Sequence, residues 1–110
     1  MSARVVPFRR QVPPVRTAPT AATLIEAVRK LATDTLNVRL DHPHCQNRMM
    51  QRGLGMIHVL EALRKGRAPL APTLDVHGDW RIKIIRLVAG RQVQVIVTVK
   101  EDHLVVVTVI

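Results

Sequence analysis

Residues 80–110, WRIKIIRLVAGRQVQVIVTVKEDHLVVVTVI, decide the fold, because their apolar side chains recur at every second position. Val93, Val95, Val97 and Val99 alternate with Gln92, Gln94, Ile96 and Thr98, which predicts a strand with one buried face. Trp80 to Leu87 starts the same way, with Ile82 and Ile84 set against Arg81 and Lys83. Its phase slips at Ile84–Ile85, where a bulge or bend is expected. Gly90–Arg91 and Glu101–Asp102 fall where hairpin turns belong. Leu104 to Ile110 is apolar on both faces except at Thr108, as expected of a well-covered strand.

Upstream the period changes. Leu24, Ile25, Val28 and Leu31 form one stripe of a helix over 21–33, with Thr20 or Thr23 as its cap and Thr23–Glu26 at capping-box spacing. Asn37–Leu40 is short and extended, a candidate first strand. Asp41 can cap a second helix that tolerates Pro43 in its first turn and stops at Gly53. Met56, Ile57, Leu60 and Leu63 define a third, ended by Gly66 with Pro69 and Pro72 beyond. The expected fold class is α+β: N-terminal helices packed on a C-terminal twisted antiparallel sheet of three to four strands. Residues 1–19 carry Pro7, Pro13, Pro14 and Pro19 without periodicity and read as a disordered basic arm. Residues 20–110 read as a single domain, the size that 110 residues allow.

Composition narrows the function. A 47% apolar fraction supports an ordinary core, but only Phe8 and Trp80 are aromatic, which argues against base-stacking platforms of the OB-fold or RRM kind. The net charge of +9 favours polyanionic or acidic partners, and the chain remains basic without Arg4, Arg9, Arg10 and Arg16 of the arm. Cys45 is the single cysteine, so no internal disulfide forms. With no apolar run near ~20 residues and no secretory signal, a cytoplasmic protein with no membrane contact is expected.

The chemistry concentrates in DHPHCQNRMMQRGLGMIHVLEALRKG, residues 41–66. His44, Arg48 and Arg52 follow at four-residue steps and share one helical face. An imidazole and two guanidiniums make a poor core stripe and a good surface for a phosphodiester, since histidine moves protons near neutral pH and arginine forks onto phosphate. In metal-independent RNA cleavage His44 would be the general base or acid, with Arg48 and Arg52 on the phosphates. Arg81, Lys83 and the Thr108 hydroxyl would add contacts if their face lines the same groove. The alternative is a solvated helix face with a histidine near its start. His42, His44 and Cys45, with His58 or His77, invite a zinc reading, but no second ligand pair matches them, so no metal or other cofactor is expected.

The run His44-x-x-x-Arg48-Met49-x-x-Arg52-Gly53, followed by Val59-x-x-Ala62-Leu63-x-x-Gly66, resembles the signature of a small bacterial family of unknown function. That family is usually grouped with RelE/ParE-like toxins in the barnase–EndoU–colicin–RelE fold assembly. The charged strand 80–87, the Gly90–Arg91 turn and the Thr108–Val109 end are similar too, so the likeness covers roughly residues 36–110. It implies a RelE/ParE-like sheet with helices on one face and, by fold analogy, a metal-independent endoribonuclease or ribosome-associated toxin acting on RNA, with an acidic antitoxin as protein partner. The competing expectation is a non-catalytic module of the same fold that docks a protein partner or inhibits a protein target. A ribonuclease depends on His44; a docking module depends on apolar surface. A small DNA-binding protein lacks any helix-turn-helix pattern to support it.

Overall fold

The computed structural model describes residues 19–40 and 43–110. The arm and the expected cap at Asp41 lie outside the described residues. Helix α1 spans Ala21–Ala32, a 3₁₀ turn Thr35–Asn37, strand β1 Val38–Arg39, helix α2 Pro43–Arg52 and helix α3 Met56–Lys65. Strands β2 (Thr73–Leu74), β3 (Trp80–Val88), β4 (Arg91–Val99) and β5 (Leu104–Val109) follow. They form one five-stranded sheet in the order β1-β5-β4-β3-β2. The α+β class holds, with three corrections. The sheet has five strands and not three to four, because the two-residue β2 adds an edge beside β3. The sheet is mixed, because β1 pairs parallel to β5 through Val38–Leu104 and Arg39–Val105. The helices are also not all N-terminal to the sheet, since β1 leaves α1 and enters the sheet before α2 begins.

Thr20 caps α1: its hydroxyl accepts from the Thr23 amide at 3.1 Å, and Thr23 rather than Glu26 completes the turn. Leu24, Val28 and Ala32 of this helix are buried. In α3 the expected stripe holds at Leu60 and Leu63 and fails at Met56 and Ile57. Val59, Leu60, Ala62 and Leu63 are buried, while Ile57 is 74% exposed. Apolar residues outnumber the face that can be covered, so periodicity alone could not choose among them. Gly66 ends α3 against β3 at φ −74°, so approach and not backbone conformation demands glycine. A Cβ there would lie closer than 3.0 Å to Ile84 Cγ2 and to the Ala62 and Ile85 carbonyl oxygens.

All three helices contribute buried side chains to one core with Ile82, Ile84, Val93, Val95, Val97, Leu104, Val106 and Val109. The alternate residues point to the other face of the sheet. Strands β3 and β4 pair without interruption from Trp80–Val99 to Val88–Arg91, so the slip expected at Ile84–Ile85 is absent. The register shift lies in β5 instead. Ile96 pairs with Thr108 and Val97 with Val106, leaving Val107 as the extra residue. This bulge turns Thr108 outward and returns Val109 to the core. The hairpin before β4 also sits one residue earlier than expected. Ala89 and Gly90 form its two-residue loop, at φ +51° and +79°, and Arg91 is already paired.

Candidate functional site

Helix α2 is fixed by what surrounds it. Cys45 is fully buried and Met49 packs against the core, so the remaining faces project toward solvent or the sheet edge. Burial raises the Cys45 thiol pKa, which keeps it protonated and unreactive. No acidic residue occurs between Pro43 and Arg52. His44 and Arg52 are exposed and Arg48 is half-buried, so the three predicted residues share the helix flank that runs toward β5.

Arg48 is anchored. Its Nε donates to the Val109 carbonyl oxygen at 3.4 Å. The Ile110 amide donates to Gln94 of β4 at 2.9 Å, so by strand alternation the Val109 carbonyl faces the sheet edge beyond the two residues that β1 covers. The Thr108 hydroxyl lies 3.3 Å from the same oxygen and donates to it. Thus Arg48 and Thr108, far apart in sequence, meet at one atom. With its Nε engaged, Arg48 keeps a fixed orientation for the rest of its guanidinium.

Arg91, which sequence reading took only as a turn residue, completes this flank. Its guanidinium donates to the Arg52 and Gly53 carbonyl oxygens, the latter at 3.5 Å, and so closes the C-terminus of α2. Gly53 sits there at φ +64°, the left-handed cap conformation that glycine adopts without strain. A cation at a helix C-terminus also offsets the partial negative charge of the helix dipole. Among the described residues the Arg52 guanidinium itself engages no carboxylate or carbonyl. No local signal could have revealed Arg91, because its acceptors belong to a helix 38 residues away.

The other helix ends follow the same rule. Arg29 of α1 donates to the Gly66 carbonyl at the end of α3 at 2.9 Å, and Arg64 of α3 donates to the Ala32 carbonyl at the end of α1 at 2.8 Å. Each helix closes the other. Part of the basic excess therefore has a structural role.

Arg81 and Lys83 stand elsewhere. They alternate with the buried Ile82 and Ile84, so they occupy the sheet face turned away from the helices. Lys83, Ile96 and Thr108 form one cross-strand row, and Arg81, Thr98 and Val105 the next. Arg81 is paired with Asp75, Nε to Oδ2 at 3.6 Å. Asp75 also accepts the Asp79 amide at 2.9 Å and the His77 amide at 2.8 Å. These bonds, the Asp79 amide first, hold its carboxyl below the ordinary aspartate pKa, and Arg81 adds to the effect. The sheet thus separates Arg81 and Lys83 from the α2 flank, and only Thr108 reaches toward both.

Of the histidines weighed as zinc ligands, His58 instead accepts the Gly55 amide at 2.9 Å and closes the start of α3. Among the described residues no group of three or more potential ligands converges. None of the described helices is long and apolar enough to cross a membrane.

A two-layer α+β protein with a basic, carboxylate-free helix along the sheet edge is the class these features define. The model of the family described as Domain of unknown function (DUF4258) matches residues 42–110, which contain α2, α3 and strands β2 to β5. The chain belongs to that family. A search of curated proteins finds no match.

Proposed function

We propose that this protein is a RelE/ParE-like endoribonuclease of a toxin–antitoxin-like system, with the α2 flank as its RNA site. The observation that carries the reading is the meeting of Arg48 and Thr108 at the Val109 carbonyl, beside His44 and the unengaged Arg52. A phosphodiester laid along this flank would meet Arg48 held through its Nε and Arg52 free to close on it. Transesterification then needs a base for the ribose 2′-OH as its oxygen attacks phosphorus, and an acid for the departing 5′-oxygen. His44 takes or returns that proton, and the arginines stabilise the charge that gathers on the phosphoryl oxygens. An acidic antitoxin would occupy the same basic flank.

The test is controlled expression of the protein beside His44→Ala and Arg52→Ala, following growth and total RNA integrity. The reading expects growth arrest with RNA cleavage that His44→Ala abolishes and Arg52→Ala weakens. Intact RNA with the unaltered protein, or full cleavage by His44→Ala, rules it out.

A second reading, a module of the same fold that docks a protein, is favoured by one observation. Ile96, Val105 and Val107 are only half-buried on the sheet face that no described helix covers.

A further inference from the structure

Strand β5 carries valine on both of its faces, yet the helices cover only one. On the other side lie two adjoining hollows of about 200 Å³ each. Leu70, Ala71, Lys83 and Ile96 line the first; Thr98, Val105 and Val107 floor the second, with Asp75, Asp79 and Lys100 at its border, and Arg81 stands between them. Together they make a trough that crosses β3, β4 and β5, two strand spacings or roughly 10 Å wide. Its floor is aliphatic. Its charges are unequally compensated: Arg81 is paired with Asp75 and Lys100 with Asp79 at 2.5 Å, while Lys83 engages no carboxylate among the described residues.

We propose that this trough docks an amphipathic helix of a protein partner, apolar on its buried face and acidic along the border that meets Lys83. An open aliphatic sheet face in an α+β protein is the surface that a further helix layer covers. A helix is about 10 Å across and fits a trough of this width. Charge selects the occupant. A second copy would bring another uncompensated Lys83 against the first, and a nucleic acid would set phosphates over valine and isoleucine. The basic arm of this chain carries the same sign as Lys83. A carboxylate-bordered apolar helix satisfies both the floor and the unpaired ammonium. The proposal rests on the docking reading and needs none of the ribonuclease chemistry.

The probe is a synthetic helical peptide of about 18 residues, five turns, with leucines on one face and glutamates along its borders. Its binding is followed by backbone amide NMR shifts of the full chain, beside a scrambled peptide and one with lysine in place of glutamate. The expected result is saturable shifts at Ile96, Val105 and Val107 below about 1 mM. Binding should weaken roughly tenfold in Lys83→Glu and disappear in Ile96→Asp, with both variants folded by circular dichroism. Lys83 is half-exposed and engages no carboxylate among the described residues, so Lys83→Glu keeps the test valid if Ile96→Asp unfolds. Equal shifts with the scrambled peptide, or shifts confined to α2, overturn the trough and leave docking elsewhere standing. No binding of any peptide overturns the trough and likewise leaves docking elsewhere standing. Concentration-dependent shifts without peptide place a second copy on this face and overturn the proposal.

Discussion

The two faces of the sheet use the same residue types for opposite ends. On the helix side, Ile82, Ile84, Val93, Val95 and Val97 are buried, and arginines reach main-chain carbonyls at the ends of α1, α2 and α3. On the open side, valine and isoleucine stay half-exposed, and Lys83 reaches no carboxylate or carbonyl among the described residues. A basic chain therefore cannot be read as a nucleic-acid binder by counting charges. Arginines that close helices are occupied by the fold, and the cations that matter for a partner are those without an internal acceptor.

The contrast is broken most strongly by truncating one residue on each face. Ile84→Ala removes a fully buried side chain and should cost about 3 kcal/mol, whereas Ile96→Ala on the open face should cost under about 1 kcal/mol. Urea unfolding measures both, and equal losses would mean that the open face is covered. A smaller effect belongs to the caps. Arg64→Met leaves the Ala32 carbonyl unpaired and should cost about 1–2 kcal/mol, and Arg29→Met a similar amount. The two should couple by at least about 0.5 kcal/mol in a double-mutant cycle, because each side chain holds the helix that carries the other. Additive losses would separate the caps. The smallest effect is a local one on pH. The Asp75 pKa is depressed, so the Asp75–Asp79 turn keeps its stability above the ordinary aspartate value of 3.8 and loses it only as pH falls below that value. NMR titration of the Asp75 carboxyl should show this low midpoint, and Asp75→Asn should remove the transition. A midpoint at the ordinary value would mean that the Asp79 and His77 amides do not hold the Asp75 carboxylate.

Much of the fold could be read in advance, and the misreadings have physical causes. Leu24 and Val28 marked α1 because the rest of that helix is polar enough to leave one stripe. In α3 Met56 and Ile57 obscured the buried face, since hydrophobicity does not say which apolar residue is left in water. Adjoining apolar residues at Ile84–Ile85 point to a bulge there, yet it lies at Val107. A run of three valines carries no phase, and the sign of the slip was Thr108, a polar residue where strict alternation requires a core one. Two-residue β1 was visible as an extended NVRL, but its parallel pairing with β5 depends on contacts between residues 66 apart. At the candidate site, the spacing of His44, Arg48 and Arg52 placed them on one face without help from the structure. The anchoring of Arg48 and the role of Arg91 could not be read, because both acceptors are main-chain carbonyls, which every residue possesses.

The exchange of arginines between α1 and α3 also says where this protein can be cut. The family model begins at residue 42, after α1 and β1, yet the carbonyl that Arg64 holds is on Ala32 and the arginine that holds Gly66 is Arg29. A fragment starting at residue 42 would lose Leu24, Val28, Ala32 and Val38 from the core and strip β5 of its parallel neighbour. The stretch that matches the family therefore leaves out segments that this chain uses to complete its core, its sheet edge and the end of α3.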